Sequence, residues 1–314
     1  MNAARSFPSW LLAAAALSCG NSSTRAAPDQ SSLSAEDGFI ESSSAGAVRA
    51  DYIPPAGFTS AELGGWQLAE PITGELRADG AGAASRSEGC GEVILGVVRD
   101  FNAALDPGGH PDFERENQDT GSVTLRLAQD ELGPDRKPVY TGRCEQPSDS
   151  QRCPNGDQTT DAAHFDDWYR YAPGVNQPYL LRLWLEKNGS NSTFESHAFF
   201  PLDAAGFGNQ GRSHNFHFTT EVHVEFRYQG GEAFTFIGDD DVWVFINGKL
   251  VLDLGGLHGE ASGTVALDEA ASWLGLSLGE LYPLELFHAE RHTEDSNFRV
   301  DANFQFTNCG TVIR

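Results

Sequence analysis

Short runs in which apolar and polar residues alternate, divided by Gly, Asn, Asp and Pro, fill the chain between Cys90 and Cys309. Alternation with a period of two puts successive side chains on opposite faces of an extended strand, so these runs predict an all-β antiparallel sandwich. Phe216 and Phe218, then Val222, Val224, Phe226 and Tyr228, share one face, while His223, Glu225 and Arg227 take the other. Near the end of the domain, Phe298, Val300, Ala302, Phe304 and Phe306 are expected to face inward, and Arg299, Asp301, Asn303 and Gln305 outward. Asn247-Gly248, between Val244-Phe245-Ile246 and Leu250-Val251-Leu252, predicts a two-residue hairpin, because both turn residues tolerate the positive φ of a type I′ turn. Only short helices are expected, over 165–171 and 267–274. With 20 Phe, 7 Tyr and 6 Trp available for one large core, residues 87–314 read as a single β domain.

The chain ahead of that domain reads differently. Residues 20–86 are dominated by Ala, Ser, Gly and Glu with no sustained period, which predicts a flexible, disordered tether. Residues 1–19 hold Arg5, an apolar run from Trp10 to Leu17 and then Ser18-Cys19-Gly20, the layout of a secretory signal too short to span a bilayer. The segment resembles a bacterial lipoprotein signal. That resemblance implies lipidation at Cys19 and a place on the bacterial outer membrane or cell surface, with free secretion after ordinary cleavage as the alternative. Setting Cys19 aside leaves Cys90, Cys144, Cys153 and Cys309, which suit two disulfides in an exported protein. Sequence permits three pairings. Cys144 with Cys153 closes a polar loop, and Cys90 with Cys309 would then clamp the ends of the domain. A formal charge of −24 argues against nucleic acid or an anionic membrane surface as partner.

Chemistry concentrates at Asp239-Asp240-Asp241, which separates Phe234-Thr235-Phe236-Ile237 from Val242-Trp243-Val244. Asp is a poor strand former and adjacent like charges repel, so the triplet requires compensation. Carboxylate oxygens coordinating a hard divalent cation would supply it; a solvated acidic turn is the plain alternative.

Several motifs, in order along the chain, resemble the fibro-slime domain family of bacterial secreted and surface proteins. They are Arg99-Asp100-Phe101, His110-Pro111-Asp112-Phe113-Glu114, Phe199-Phe200-Pro201-Leu202-Asp203 and His214-Asn215-Phe216-His217-Phe218-Thr219-Thr220-Glu221. Gly230-Gly231-Glu232, Asp253-Leu254-Gly255-Gly256-Leu257-His258, Phe287-His288-Ala289-Glu290-Arg291-His292 and Ser296-Asn297-Phe298 continue the series. Residues 238–248 also resemble the protective-antigen-type β domain of yeast flocculins and adhesins, with Gly238 in place of a Ser and Asp241 in place of a Gly.

That second resemblance implies a calcium-dependent carbohydrate site, with Asp239 and Asp240 joined by a cis peptide as ligands and Asn297 as third ligand. Asp241, Trp243, His258 and Arg291, all within the matching motifs, are the candidate ligand contacts, with Trp273 as a further stacking face. The expected function is carbohydrate binding and adhesion on a cell surface or extracellular matrix. The rivals are a matrix protein with a purely stabilising calcium, and a glycoside hydrolase using Glu221 with Asp240 or Glu290 with Asp295. No nucleophile elbow, phosphate loop or dinucleotide fingerprint supports an enzyme. His288 and His292 do not form a zinc-protease pair, since Glu290 is misplaced and the preceding residues read as a strand.

Overall fold

The computed structural model describes residues 56–72, 93–115, 121–142 and 159–308. Two antiparallel sheets form their frame. The larger runs from edge to edge as β1 (Phe58–Ser60), β2 (Gly65–Pro71), β4 (Asn176–Trp184), β3 (Val93–Phe101), β7 (Phe218–Arg227), β12 (Leu281–Glu290), β9 (Asp241–Ile246) and β10 (Lys249–Leu254). A ninth strand, β14 (Gln305–Asn308), pairs with the end of β7 that β3 leaves open. The smaller sheet runs β11 (Ala261–Ala266), β8 (Ala233–Gly238), β13 (Phe298–Ala302), β6 (Asn191–Ser196) and β5 (Glu186–Asn188).

The predicted alternation is what fills the space between the sheets. Phe218, Val222, Val224 and Phe226 from β7, Leu284 and Leu286 from β12, and Phe234 and Phe236 from β8 meet Phe298 and Val300 of β13 in one apolar core. The run from 298 to 306 keeps its inward residues buried throughout, yet it changes sheet midway. Asn303 pegs that corner, its Oδ1 accepting from Ala233 N and its Nδ2 donating to Gly231 O. Asn247 and Gly248 adopt φ of 52° and 75° and join β9 to β10 as expected. Helix α2 (Leu267–Leu274) lies where predicted and ends on left-handed Gly275, while α1 (Ala162–Asp167) begins three residues earlier than expected, capped by the Asp161 carboxylate on His164 N.

One expectation is corrected here. Residues 58–71 are not tether: β1 and β2 form a hairpin on β4, and Trp66 packs edge-on against Phe194 and Phe199 at 6.2 and 5.5 Å. Burial of that indole holds the hairpin down, and Phe58 packs edge-on against Trp184 at 5.2 Å. Phe58→Ala is expected to lower stability by about 1–2 kcal/mol through loss of that pair and its buried area. Denaturant melting measures it, and an unchanged midpoint would mean the hairpin is not docked. The rest of the tether, the signal segment and all five cysteines lie outside the described residues.

On the other face of the larger sheet Glu221, His223 and Glu285 are buried as well. Residues 101–115, 121–142 and 159–170 cover it and enclose a second core in which Phe101, Phe113, Leu127, Phe165, Trp168 and Tyr169 meet Trp243, Phe245 and Phe287. Strand β9 is thus apolar on both faces because both are covered: Val242, Val244 and Ile246 enter the first core, Trp243 and Phe245 the second. Beneath the same cover, Glu221 accepts from Arg99 Nη1 at 2.7 Å and from Lys137 Nζ, and Arg136 reaches Glu285. Burial alone would push the Glu221 carboxyl up, but Lys137, Arg99 and His223 outweigh it and hold it well below the usual range.

Candidate functional site

The acidic triplet is the crossing between the two sheets, where β8 of the smaller sheet hands over to β9 of the larger. The backbone is crowded there. A Cβ on Gly238 would lie 2.2 Å from the Asn297 carbonyl oxygen, which excludes the Ser of the adhesin pattern. The Asp239-Asp240 peptide is cis, as the resemblance implied.

Asp239 is held by Asn297 and His288, whereas Asp240 and Asp241 share the 256–258 loop and Arg291. Asp239 Oδ1 accepts from Asn297 N at 2.8 Å and Oδ2 from Asn297 Nδ2 at 2.7 Å, while its carbonyl accepts from His288 Nε2 at 2.8 Å. Burial presses His288 down to about 4, so the ring that donates this bond is neutral. Asp240 Oδ1 accepts from His258 N at 3.3 Å and Oδ2 from Arg291 N at 3.1 Å. Asp241 takes Gly256 N at 2.5 Å and Arg291 Nε at 2.6 Å.

These placements bring Asp239, Asp240 and Asn297 together and remove four residues from the expected ligand surface. Asp241 and Arg291 are fully buried and neutralise each other. The Arg291 guanidinium also lies 4.6 Å from the Trp168 ring centroid and donates to Asp112 O at 3.3 Å, so it fastens the cover segment to the site rather than meeting a ligand. Trp243 is wholly inside the second core, its Nε1 donating to Asp253 Oδ1 at 3.0 Å. A side chain on that face of β9 has no route to solvent. His258 is 3% exposed and its ring nitrogens face the carbonyls of Gly259 and Leu254, which makes it a loop fastener. Trp273 is 50% exposed but belongs to the far end of β9, where Asn247 Nδ2 donates to Leu274 O.

Electrostatics set Asp240 apart. Burial, then the like charges of Asp241 and Asp239, push its carboxyl well above the usual range against the pull of Arg291. Asp239 is raised as well, chiefly by burial. The residue that the sequence reading missed in this role is Glu290, at the end of β12 and 1% exposed. Burial and the charges of Asp240 and Asp239 raise it too, and its Oε2 has no hydrogen-bond partner among the described residues. Its strand position after His288 was the available clue.

Calcium is tested here by donor chemistry. Two hard carboxylates with a third acid nearby suit a divalent cation that takes oxygen ligands. As they stand, Asn297 turns its nitrogen toward Asp239 and its oxygen toward His197 Nδ1 at 3.0 Å, so its amide would have to turn over to serve as an oxygen ligand. Among the described residues, no three His, Cys, Asp or Glu side chains are gathered into a ready-made metal cage. The side facing solvent is that of Asn297, beside a hollow of about 90 Å³ whose lining includes Glu195, His197, Glu260 and Arg299. Of the carboxylates considered for hydrolysis, Glu221 is sealed under the cover segment and ion-paired, and Glu290 is buried while Asp295 is exposed.

Comparison with known proteins places these elements. The psiD protein of Dictyostelium discoideum is 40% identical over 205 residues, covering 62% of this chain and 39% of psiD. The psiR protein of the same organism is 39% identical over 239 residues, covering 70% of this chain and 22% of psiR. The chain therefore spans well under half the length of these curated relatives. Among solved structures, the PA14 sugar-binding domain from an RTX adhesin aligns with a TM-score of 0.27 at 10% identity, over 68% of this chain and 91% of that one. The Epithelial Adhesin 9 A domain from Candida glabrata, solved with Galβ1-4GlcNAc, gives 0.26 at 12%, over 70% and 94%. Over residues 187–309, a span containing both the Asp239-Asp240 crossing and Asn297, the chain matches the PA14 domain family, and the fold it carries is an antiparallel β-sandwich.

Proposed function

We propose that this chain is an exported carbohydrate-binding and adhesion module of the fibro-slime type, whose sugar site is organised by calcium at Asp239 and Asp240. The observation that carries the reading is the pair itself: two adjacent carboxylates, 5% and 4% exposed, held mainly by backbone amides and raised by burial. Desolvating two neighbouring acids is unfavourable unless a counter-charge accompanies them, and the buried cation close by among the described residues, Arg291, is committed to Asp241. Calcium would supply that counter-charge and keep coordination positions for vicinal hydroxyls. A sugar would approach from the Asn297 side, over the hollow next to His197.

The near-complete burial of both aspartates favours one second reading, in which calcium only stabilises the sheet crossing. Glycan-array binding, with calcium and then with a chelator, separates the two. Chelator-sensitive retention of defined glycans is the expected result; a calcium-dependent rise in melting temperature with no glycan retained would leave only the stabilising role.

A further inference from the structure

We propose that Glu290 is the third acid of the Asp239-Asp240 site, standing behind the two aspartates and setting the affinity of the site for a divalent cation. The inference rests on the calcium reading above and adds to it a residue and a role.

Strand register brings Glu290 there. The ladder between β12 and β9 ends with Ala289 opposite Asp241, and the next residues along the two chains are Glu290 and Asp240. Arg291, the residue just past the end of β12, already donates its amide to the Asp240 carboxylate. Alternation along β12 sends Leu284 and Leu286 into the space between the sheets and sends His288 to the Asp239 carbonyl, so Glu290 projects from the same face at the same end. The Ser296 hydroxyl, which donates to Phe199 O at 2.9 Å, and the His292 amide lie beside its carboxyl, whose Oε2 is buried with nothing among the described residues donating to it.

An acid in that position is unfavourable for the fold alone. A buried acceptor without a donor, facing two like charges, destabilises the protein unless a cation shares the space. Among the described residues the buried cation beside the site is Arg291, whose guanidinium is hydrogen-bonded to Asp241 rather than to Glu290. A divalent ion between the aspartates would relieve the repulsion on all three acids at once. Groups that support metal ligands in this manner commonly change affinity about 10- to 100-fold when removed.

The test is calorimetric titration of the chelator-treated full chain with calcium chloride, comparing the wild type with Glu290→Gln and Glu290→Met, and a melting curve of each in chelator. The expected result is binding roughly 10- to 100-fold weaker in both variants at unchanged stoichiometry, with metal-free melting unchanged or raised because a buried like charge has gone. Equal calcium affinity in wild type and a folded variant overturns the role of Glu290 while leaving the calcium reading intact. Variants that melt lower without metal yet bind calcium as tightly assign Glu290 to the fold and also overturn it. No calcium binding by the wild type overturns both proposals.

Discussion

Glu221→Ala is expected to lower the stability of the fold by about 3–5 kcal/mol, because it strands Arg99 and Lys137, each 1% exposed, without a counter-ion. Most single-domain proteins have only about 5–15 kcal/mol to lose, so the variant stands close to unfolding. Urea denaturation measures the change, and a loss below about 1 kcal/mol would show that water reaches the network. Replacing the group by apolar residues, as Arg99→Met, Lys137→Met and Glu221→Leu together, is expected to recover most of the loss, since the charges are then removed rather than abandoned. The same carboxyl predicts an acid limb. Its folded-state value lies well below its ordinary 4.5, so its contribution is present above that value and is lost as pH falls through the folded one. The triple variant should lose that part of the acid dependence.

The second large effect is at the sheet crossing. Asp240→Asn, and separately Asp239→Asn, are expected to weaken calcium binding beyond the roughly 10- to 100-fold that loss of a supporting group causes. At calcium near 100 times the Kd, binding contributes about 2.7 kcal/mol, or a rise of roughly 5–10 °C in Tm for a domain of this size. Both variants should fold without metal, because each removes one of two repelling buried acids, and neither should show the calcium-induced rise. Calorimetry that finds wild-type affinity in both would remove the aspartates as ligands.

Periodicity made one layer of the molecule legible and left another invisible. The inward faces of β7 and of the 298–306 run, the Asn247-Gly248 turn and helix α2 follow from local rules that tertiary context reinforces. The cover over the larger sheet does not, because residues 101–142 contain no regular element beyond the end of β3 among those described, and contribute side chains such as Phe113 and Leu127 singly. Without that layer, His223, Glu221 and Glu285 look like an ordinary wet face of a strand. The run Val242-Trp243-Val244-Phe245-Ile246 did hint at it, since five apolar residues in succession belong to a strand covered on both sides.

The candidate site divides in the same way. Asp239, Asp240 and Asn297 were found from the motif, and they do lie together. Trp243, Arg291, His258 and Asp241 shared the motif but serve the frame around it, and sequence adjacency could not distinguish the two roles. What separates them is the face of the strand: Trp243 and Arg291 project into the second core, away from the crossing. Glu290 projects the other way from the neighbouring position of Arg291.

The corner at Asn303 bears on how the chain reaches this state. One ribbon lends β13 to the smaller sheet and β14 to the larger, pairing Val300 with Phe194 and Phe306 with Phe226. Neither layer has its full complement of neighbours until this late segment is laid down. Assembly must therefore wait on contacts between residues far apart in the chain, which favours folding on the order of milliseconds to seconds over microseconds. Once seated, the ribbon works as a shared hem, and the layers cannot peel apart one at a time.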